Sequence, residues 1–126
     1  MQNKSPLDKV IIEKILDYCD KIERIIQRFD SSYEKFNADF VFQLSCGMCI
    51  VQIGELTKRF TEEFRSQHSE IAWTGIKATR NIYVHEYEKV DIEEVWSIIT
   101  NDIPELKENL TKILLEMEGQ NEDRIK

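Results

Sequence analysis

The sequence predicts an all-α protein, an up-and-down bundle of four to five helices forming a single domain. Three observations predict it. Only 4 Gly and 2 Pro interrupt the 126 residues, too few chain-breakers for a sheet threaded by turns. Apolar residues recur at steps of three and four through most of the chain, the period of helices with one buried side. A chain of this length has room for one core.

The first helix starts at Ser5-Pro6, a capping hydroxyl followed by an imino acid that the first turn tolerates. Leu7, Ile11, Ile15, Tyr18 and Ile22 carry its stripe towards Phe29, and Ile12, Leu16, Cys19 and Ile26 widen it. Asp30-Ser31-Ser32 breaks the pattern and caps a short turn through Phe36. A second long helix is expected from about residue 38 to beyond 60, with Phe42, Cys46, Cys49, Ile53, Leu56 and Phe60 on its apolar side. Gly47 and Gly54 fall inside it at a cost of roughly 1 kcal/mol each relative to Ala, which anticipates another helix approaching too closely for a side chain. Residues 65–70 read as a polar loop with His68 on the surface, and residues 71–84 as a third helix. Asp91 caps a further helix, with Glu93 and Glu94 favourably placed in its first turn. Its stripe runs from Ile92 to Met117 across Pro104, which must kink or split it. The domain is expected to end at 118, and residues 119–126, without apolar period, to fray.

Charge and cysteine usage narrow the function. With 17 Lys and Arg against 24 Asp and Glu, the net charge is −7, which argues against a broad, backbone-hugging nucleic-acid binder but leaves room for a small cleft with a few local cations. The first ten residues lack the apolar stretch that secretion requires, and no run reaches the roughly 20 apolar residues of a membrane span. Three cysteines then read as reduced thiols of a cytoplasmic protein with no membrane association. Cys46-Gly-Met-Cys49 has a zinc-like spelling, but only His68 and His85 remain as soft ligands. Both thiols also fall on an apolar stripe, so core packing is the better reading. No metal and no cofactor is expected.

Chemistry concentrates in Arg80-Asn81-Ile82-Tyr83-Val84-His85-Glu86-Tyr87. Metal-free RNA cleavage needs a base for the 2′-hydroxyl proton, an acid for the leaving oxygen and a cation for the phosphorane. An imidazole titrates near neutrality and can fill either proton role. A guanidinium presents a fork of donors to phosphate and keeps its charge. On a regular helix five residues place Arg80 and His85 about 140° apart, so they do not face one phosphate unless the helix loosens or a second chain contributes. A composite site at a two-fold interface resolves the geometry. Spacing alone favours a plainer reading, a surface pair or a contact with the helix dipole.

The stretch has the form R-x4-H-x-Y and resembles the motif of HepT-like toxins in the HEPN superfamily. The resemblance covers about residues 40–110. VQIGELTKRF is similar to the family's Ile-Gly-Glu segment, EIAWTGIKATRN to the stretch in which a Trp precedes Arg-Asn, and YEKVDIEEVWSIITNDIPEL to the block that follows. It implies a HEPN-type helical homodimer acting as a metal-independent endoribonuclease, with RNA as substrate and a 2′,3′-cyclic phosphate and 5′-hydroxyl as products. Arg80 would stabilise phosphate charge, His85 would act as general base or acid, and Asn81 would orient the site. Glu55, at the Gly-Glu position, either faces Arg80 in support or is a solvent-facing or structural carboxylate.

The resemblance also implies a cognate minimal nucleotidyltransferase (MntA-like) as antitoxin of a type VII toxin–antitoxin pair, silencing the toxin by AMPylation of Tyr87. Departures from the family pattern are Ala72, Ala78-Thr79 and Glu86, none of which removes a reacting group. The alternative is a non-catalytic HEPN interaction module that partners a nucleotidyltransferase; joint retention of Arg80, Asn81, His85 and Tyr87 favours the enzyme. Lys58, Arg59, Arg65 and Lys77 are candidates for a local RNA-guiding patch, although a solvated helix face explains any one of them. Trp73 and Trp96 read as core or dimer-interface aromatics.

Overall fold

A computed structural model describes residues 6–125, the side chains of Pro6, Tyr87 and residues 120–125 excepted. The elements are α1 (Pro6–Arg28), α2 (Tyr33–Ala38), α3 (Phe40–Thr57), α4 (Glu62–Gln67), α5 (Trp73–His85), α6 (Ile92–Ser97) and α7 (Ile103–Ile125). A short 3-10 turn (Tyr87–Lys89) precedes α6, and one π-type turn (Ile98–Asp102) joins α6 to α7 as a single continuous rod. There is no strand among the described residues. The all-α bundle is as the sequence predicts.

Side-chain caps set most of the helix starts. Ser32 accepts from the Lys35 amide at 3.2 Å, and Asp39 from the Val41 amide at 2.8 Å. Thr61 accepts from the Phe64 amide at 3.1 Å and Asp91 from the Glu93 amide at 3.0 Å. Each satisfies a donor that the first turn leaves without an intrahelical partner. Ser5, the expected cap of α1, lies outside the described residues. Asp30 and Ser31 take positive φ, 60° and 54°, turning the chain between α1 and α2 at polar residues that tolerate that conformation better than branched ones.

α3 is the central helix, packed between α1 on one side and α5 on the other, while α7 lies against α1. Ile11, Ile12, Ile15 and Ile22 of α1 meet Phe42, Cys46 and Ile53 of α3 and Ile99 and Leu110 of the α6–α7 rod in one core. Phe36 of α2 closes one end against Phe42 and Trp96, and Lys107 of α7 pairs with Asp20 and Glu23 of α1 at 2.9 and 3.0 Å. By length and composition α3 could cross a membrane, but half of it is buried inside the bundle. Its apolarity is that of a core helix. The three cysteines are free and buried, and burial pushes the Cys19 and Cys46 thiols up to about 12.

Two expectations are corrected around residue 60. The second long helix stops at Thr57, and a separate helix, α4, runs from Glu62 to Gln67, taking in the first residues of the expected 65–70 loop. The reason lies 53 residues upstream. Asp8 is 1% exposed and accepts from both the amide and the hydroxyl of Thr61 at 3.1 Å. That contact ties the chain at Thr61 to the start of α1, and Thr61 begins a new helix there. Phe60 and Phe64 stay buried and stacked, with centroids 4.3 Å apart, across the break. Asp8 also takes the buried position next to Leu7, which is exposed rather than on the core stripe. His68 is not a surface residue. It is 7% exposed, its ring lies 4.5 Å from that of Phe64, and its Nδ1 is 3.4 Å from Glu70.

Pro104 does not split the last helix, and the turn before it is widened instead. The Ile103 amide bonds to the Ile98 carbonyl five residues back. Such a turn relieves the crowding a proline ring imposes on the carbonyl four residues before it. Past this turn α7 runs on to Ile125.

Candidate active site

α5 rests on α3 at two glycines. A Cβ on Gly54 would stand 2.5 Å from Arg80 Cβ, and one on Gly47 would overlap the Tyr83 ring. The close approach anticipated from the sequence is therefore with α5, and it sets Arg80 directly against α3. No side-chain cap starts α5. Instead Trp73 anchors it, donating from Nε1 to the carbonyls of His68 at 3.1 Å and Arg65 at 3.3 Å, with its ring edge against Phe60. α5 has no fully buried residue. It leans on the bundle through one face only.

Arg80 is the best-held group of the segment. Its side chain is 17% exposed, and Nη2 forms an ion pair with Glu55 Oε1. Nη1 donates to Asn81 Oδ1 at 2.6 Å. The same Glu55 oxygen also receives Lys58 Nζ at 3.3 Å. Partial burial alone would raise the Glu55 carboxyl, but Lys58 and Arg80 together outweigh it and hold the group below its ordinary value. Glu55 therefore faces Arg80, though as a carboxylate 40% exposed rather than a buried one. The Arg80 Nε is buried without a partner, so this guanidinium has donor capacity that the chain itself does not use.

His85 stands apart. It is the last residue of α5, and it is exposed. The helix stays regular to its end, the Glu86 amide bonding to the Ile82 carbonyl at 2.8 Å, so the separation of about 140° from Arg80 holds. The fold thus brings Arg80, Asn81 and Glu55 together and leaves His85 facing another way. The side chain of Tyr87 lies outside the described residues; its backbone opens the 3-10 turn after α5.

Of the proposed basic patch, Lys58 alone is tied to this cluster, through Glu55. Trp73 and Trp96 are partly buried and pack against the core, on Phe60 and on Phe36 with Phe42. One feature escaped the sequence reading. Phe40, Leu44 and Met48 are 67%, 46% and 61% exposed, and their spacing of four puts them on the side of α3 that also carries Glu55. The signal was a second apolar period in a helix whose first period already filled the core. No group of His, Cys, Asp or Glu able to hold a metal ion occurs among the described residues.

Comparison with known proteins adds an independent finding. The family model described as ribonuclease HepT-like matches residues 15–113. A protein of Caldanaerobacter subterraneus subsp. tengcongensis named "Putative RNase TTE0752" is 35% identical over 82% of this chain and 90% of its own length. "Putative RNase MJ1216" of Methanocaldococcus jannaschii is 27% identical over 93% of this chain and 95% of its own. "Probable ribonuclease HepT" of Thermococcus cleftensis is 29% identical, covering 83% and 94%. No solved structure matches the chain.

Proposed function

The chain belongs to the HepT-like ribonuclease family, and on that premise we propose that it is a metal-independent endoribonuclease, the toxin of a type VII HepT/MntA-like pair working as a cytoplasmic homodimer. The 2′-oxygen of RNA attacks the adjacent phosphorus as its proton passes to a base. The bond to the 5′-oxygen breaks, and that oxygen takes a proton. The products are a 2′,3′-cyclic phosphate and a 5′-hydroxyl. Arg80 neutralises the phosphorane and His85 carries one of the two proton transfers.

The observation that carries this reading is the divergence of Arg80 and His85 on one regular helix. Arg80 is clamped between Glu55 and Asn81, while His85 is exposed. A single protomer does not assemble the pair. Two protomers related by a two-fold axis do, Arg80 of one facing His85 of the other. The exposed stripe of Phe40, Leu44 and Met48 beside Glu55 supports a second copy on that side, since so much clustered apolar surface is unusual on a monomer.

The reading is tested by incubating total cellular RNA with purified wild-type and His85→Ala protein, EDTA present throughout. Cutting by the wild type alone is the expected outcome. Absence of cutting by dimeric protein unmodified at Tyr87 would favour the non-catalytic module instead.

Regulation follows from the same placement. AMPylation of Tyr87, two residues beyond His85, by a cognate minimal nucleotidyltransferase would add bulk and negative charge beside the catalytic groups and repel RNA. Tyr87→Phe is expected to stay toxic when that enzyme is co-expressed, and to gain no mass in multiples of AMP. Suppression of this variant to the wild-type degree would rule out Tyr87 as the acceptor.

A further inference from the structure

A second feature of α5 lies outside this chemistry. Between α5 and the α6–α7 rod runs a groove of about 430 Å³, and none of Glu55, Arg80 and His85 lines it. Ile50 and Ile53 of α3 form its floor, with Ile82 of α5 and Ile98 and Leu106 of the rod above them. α5 and α7 do not pack along their lengths, so this seam of the bundle is open.

Three properties identify what fits there. On the α5 side the groove is lined from Ala72 to Ile82, ten steps of a helix or about 15 Å, which matches roughly three turns of a second helix laid alongside. Ala72, Gly75 and Ala78 line that wall with little or no side chain, so a neighbouring backbone can come close. The lining carries the carboxylates of Glu70, Glu94, Asp102 and Glu105 and includes no Lys or Arg. An apolar floor between acidic rims is complementary to a helix with aliphatic anchors on one face and cationic residues on both flanks. A second copy of this chain is a poor occupant. At a net charge of −7 it would bring acid to acid.

We propose that the groove between α5 and the α6–α7 rod is a docking site for a basic-flanked amphipathic helix of a separate polypeptide. The site does not depend on the ribonuclease reading. RNA cleavage and helix docking are scored on different residues, so either reading can fail while the other stands.

The test is fluorescence anisotropy of a labelled synthetic helical peptide, with leucines at i, i+3, i+7 and i+10 and lysines along both flanks, titrated with the full chain. Binding is expected to weaken roughly tenfold or more in Gly75→Trp and severalfold in Asp102→Lys. A peptide with glutamates in place of the lysines is expected not to bind. Gly75→Trp is expected to fold, because a Cβ there meets nothing nearer than Ala72 Cβ at 3.9 Å; circular dichroism checks this and sedimentation checks its oligomeric state. No binding of the lysine peptide overturns the proposal, as does undiminished binding to Gly75→Trp or equal binding of the glutamate peptide. A change of oligomeric state in Gly75→Trp would assign the groove to a contact between copies and overturn it as well.

Discussion

Arg80 meets Glu55 across the α3–α5 contact and Asn81 on its own helix, so its guanidinium is oriented before any substrate arrives. An arginine on an open helix face would lose several rotors on meeting a phosphate; this one has already been fixed. Glu55 is on this account a positioning residue, and Glu55→Gln is expected to lower RNA cleavage roughly tenfold, mainly in kcat. The pH profile separates that role from a proton-transfer role. The Glu55 carboxyl is held below its ordinary value, so its ion pairs are intact above the usual carboxylate range and are lost only as pH falls through the lowered value. Near neutrality Glu55 does not titrate. The Glu55→Gln profile should then keep the wild-type shape at reduced height, measured as cleavage rate against pH. A displaced acid limb would make Glu55 a titrating participant and overturn the positioning role.

At the scale of elements, the α3–α5 contact is the joint on which the site depends, and its two glycines differ in kind from Gly75. Ala at Gly54 gains about 1 kcal/mol of helix propensity but meets Arg80 Cβ at 2.5 Å, an atom fixed to the backbone that moves only if α5 moves. Gly54→Ala is expected to cost about 1–3 kcal/mol through overpacking and to impair cleavage as well. Gly75→Ala, whose added Cβ meets only Ala72 Cβ at an ordinary 3.9 Å, is expected to gain about 1 kcal/mol. Urea melts of the two variants check the signs, and equal stabilisation of both would show that the helices are not in contact at Gly54. How much of this was legible in the sequence follows from the range of the forces. The α1, α5 and α6 segments and the Asp91 cap are written in local periodicity and capping chemistry, and so was the purpose of Gly47 and Gly54. The break at Thr61 was not, because it rests on Asp8, 53 residues away. The partner of Glu55 was equally out of reach: a carboxylate 25 positions before an arginine reads the same whether it faces that arginine or water. The direction of His85 was derivable, since it needs only the helical pitch.

At the scale of the whole molecule, α5 is the helix on which the proposed dimer turns. α5 has no fully buried residue; one side rests on Gly47 and Gly54 of α3, and another lines the acidic groove. If the proposed two-fold dimer assembles the site, each dimer holds two, and each site takes Arg80 from one chain and His85 from its partner. That arrangement makes a prediction no single-chain site can mimic. Arg80→Ala and His85→Ala proteins are each expected to be inactive, since both sites of either dimer lack one group. When the two are unfolded together and refolded at equal concentration, half the dimers are mixed. In a mixed dimer one site has lost both groups, while the other joins the intact Arg80 of one chain to the intact His85 of its partner. Activity should therefore return to about a quarter of the wild-type level per chain. No recovery, with mixed dimers verified by mass spectrometry, would mean that both groups act from the same chain. α5 would then have to unwind near His85 to bring them onto one phosphate.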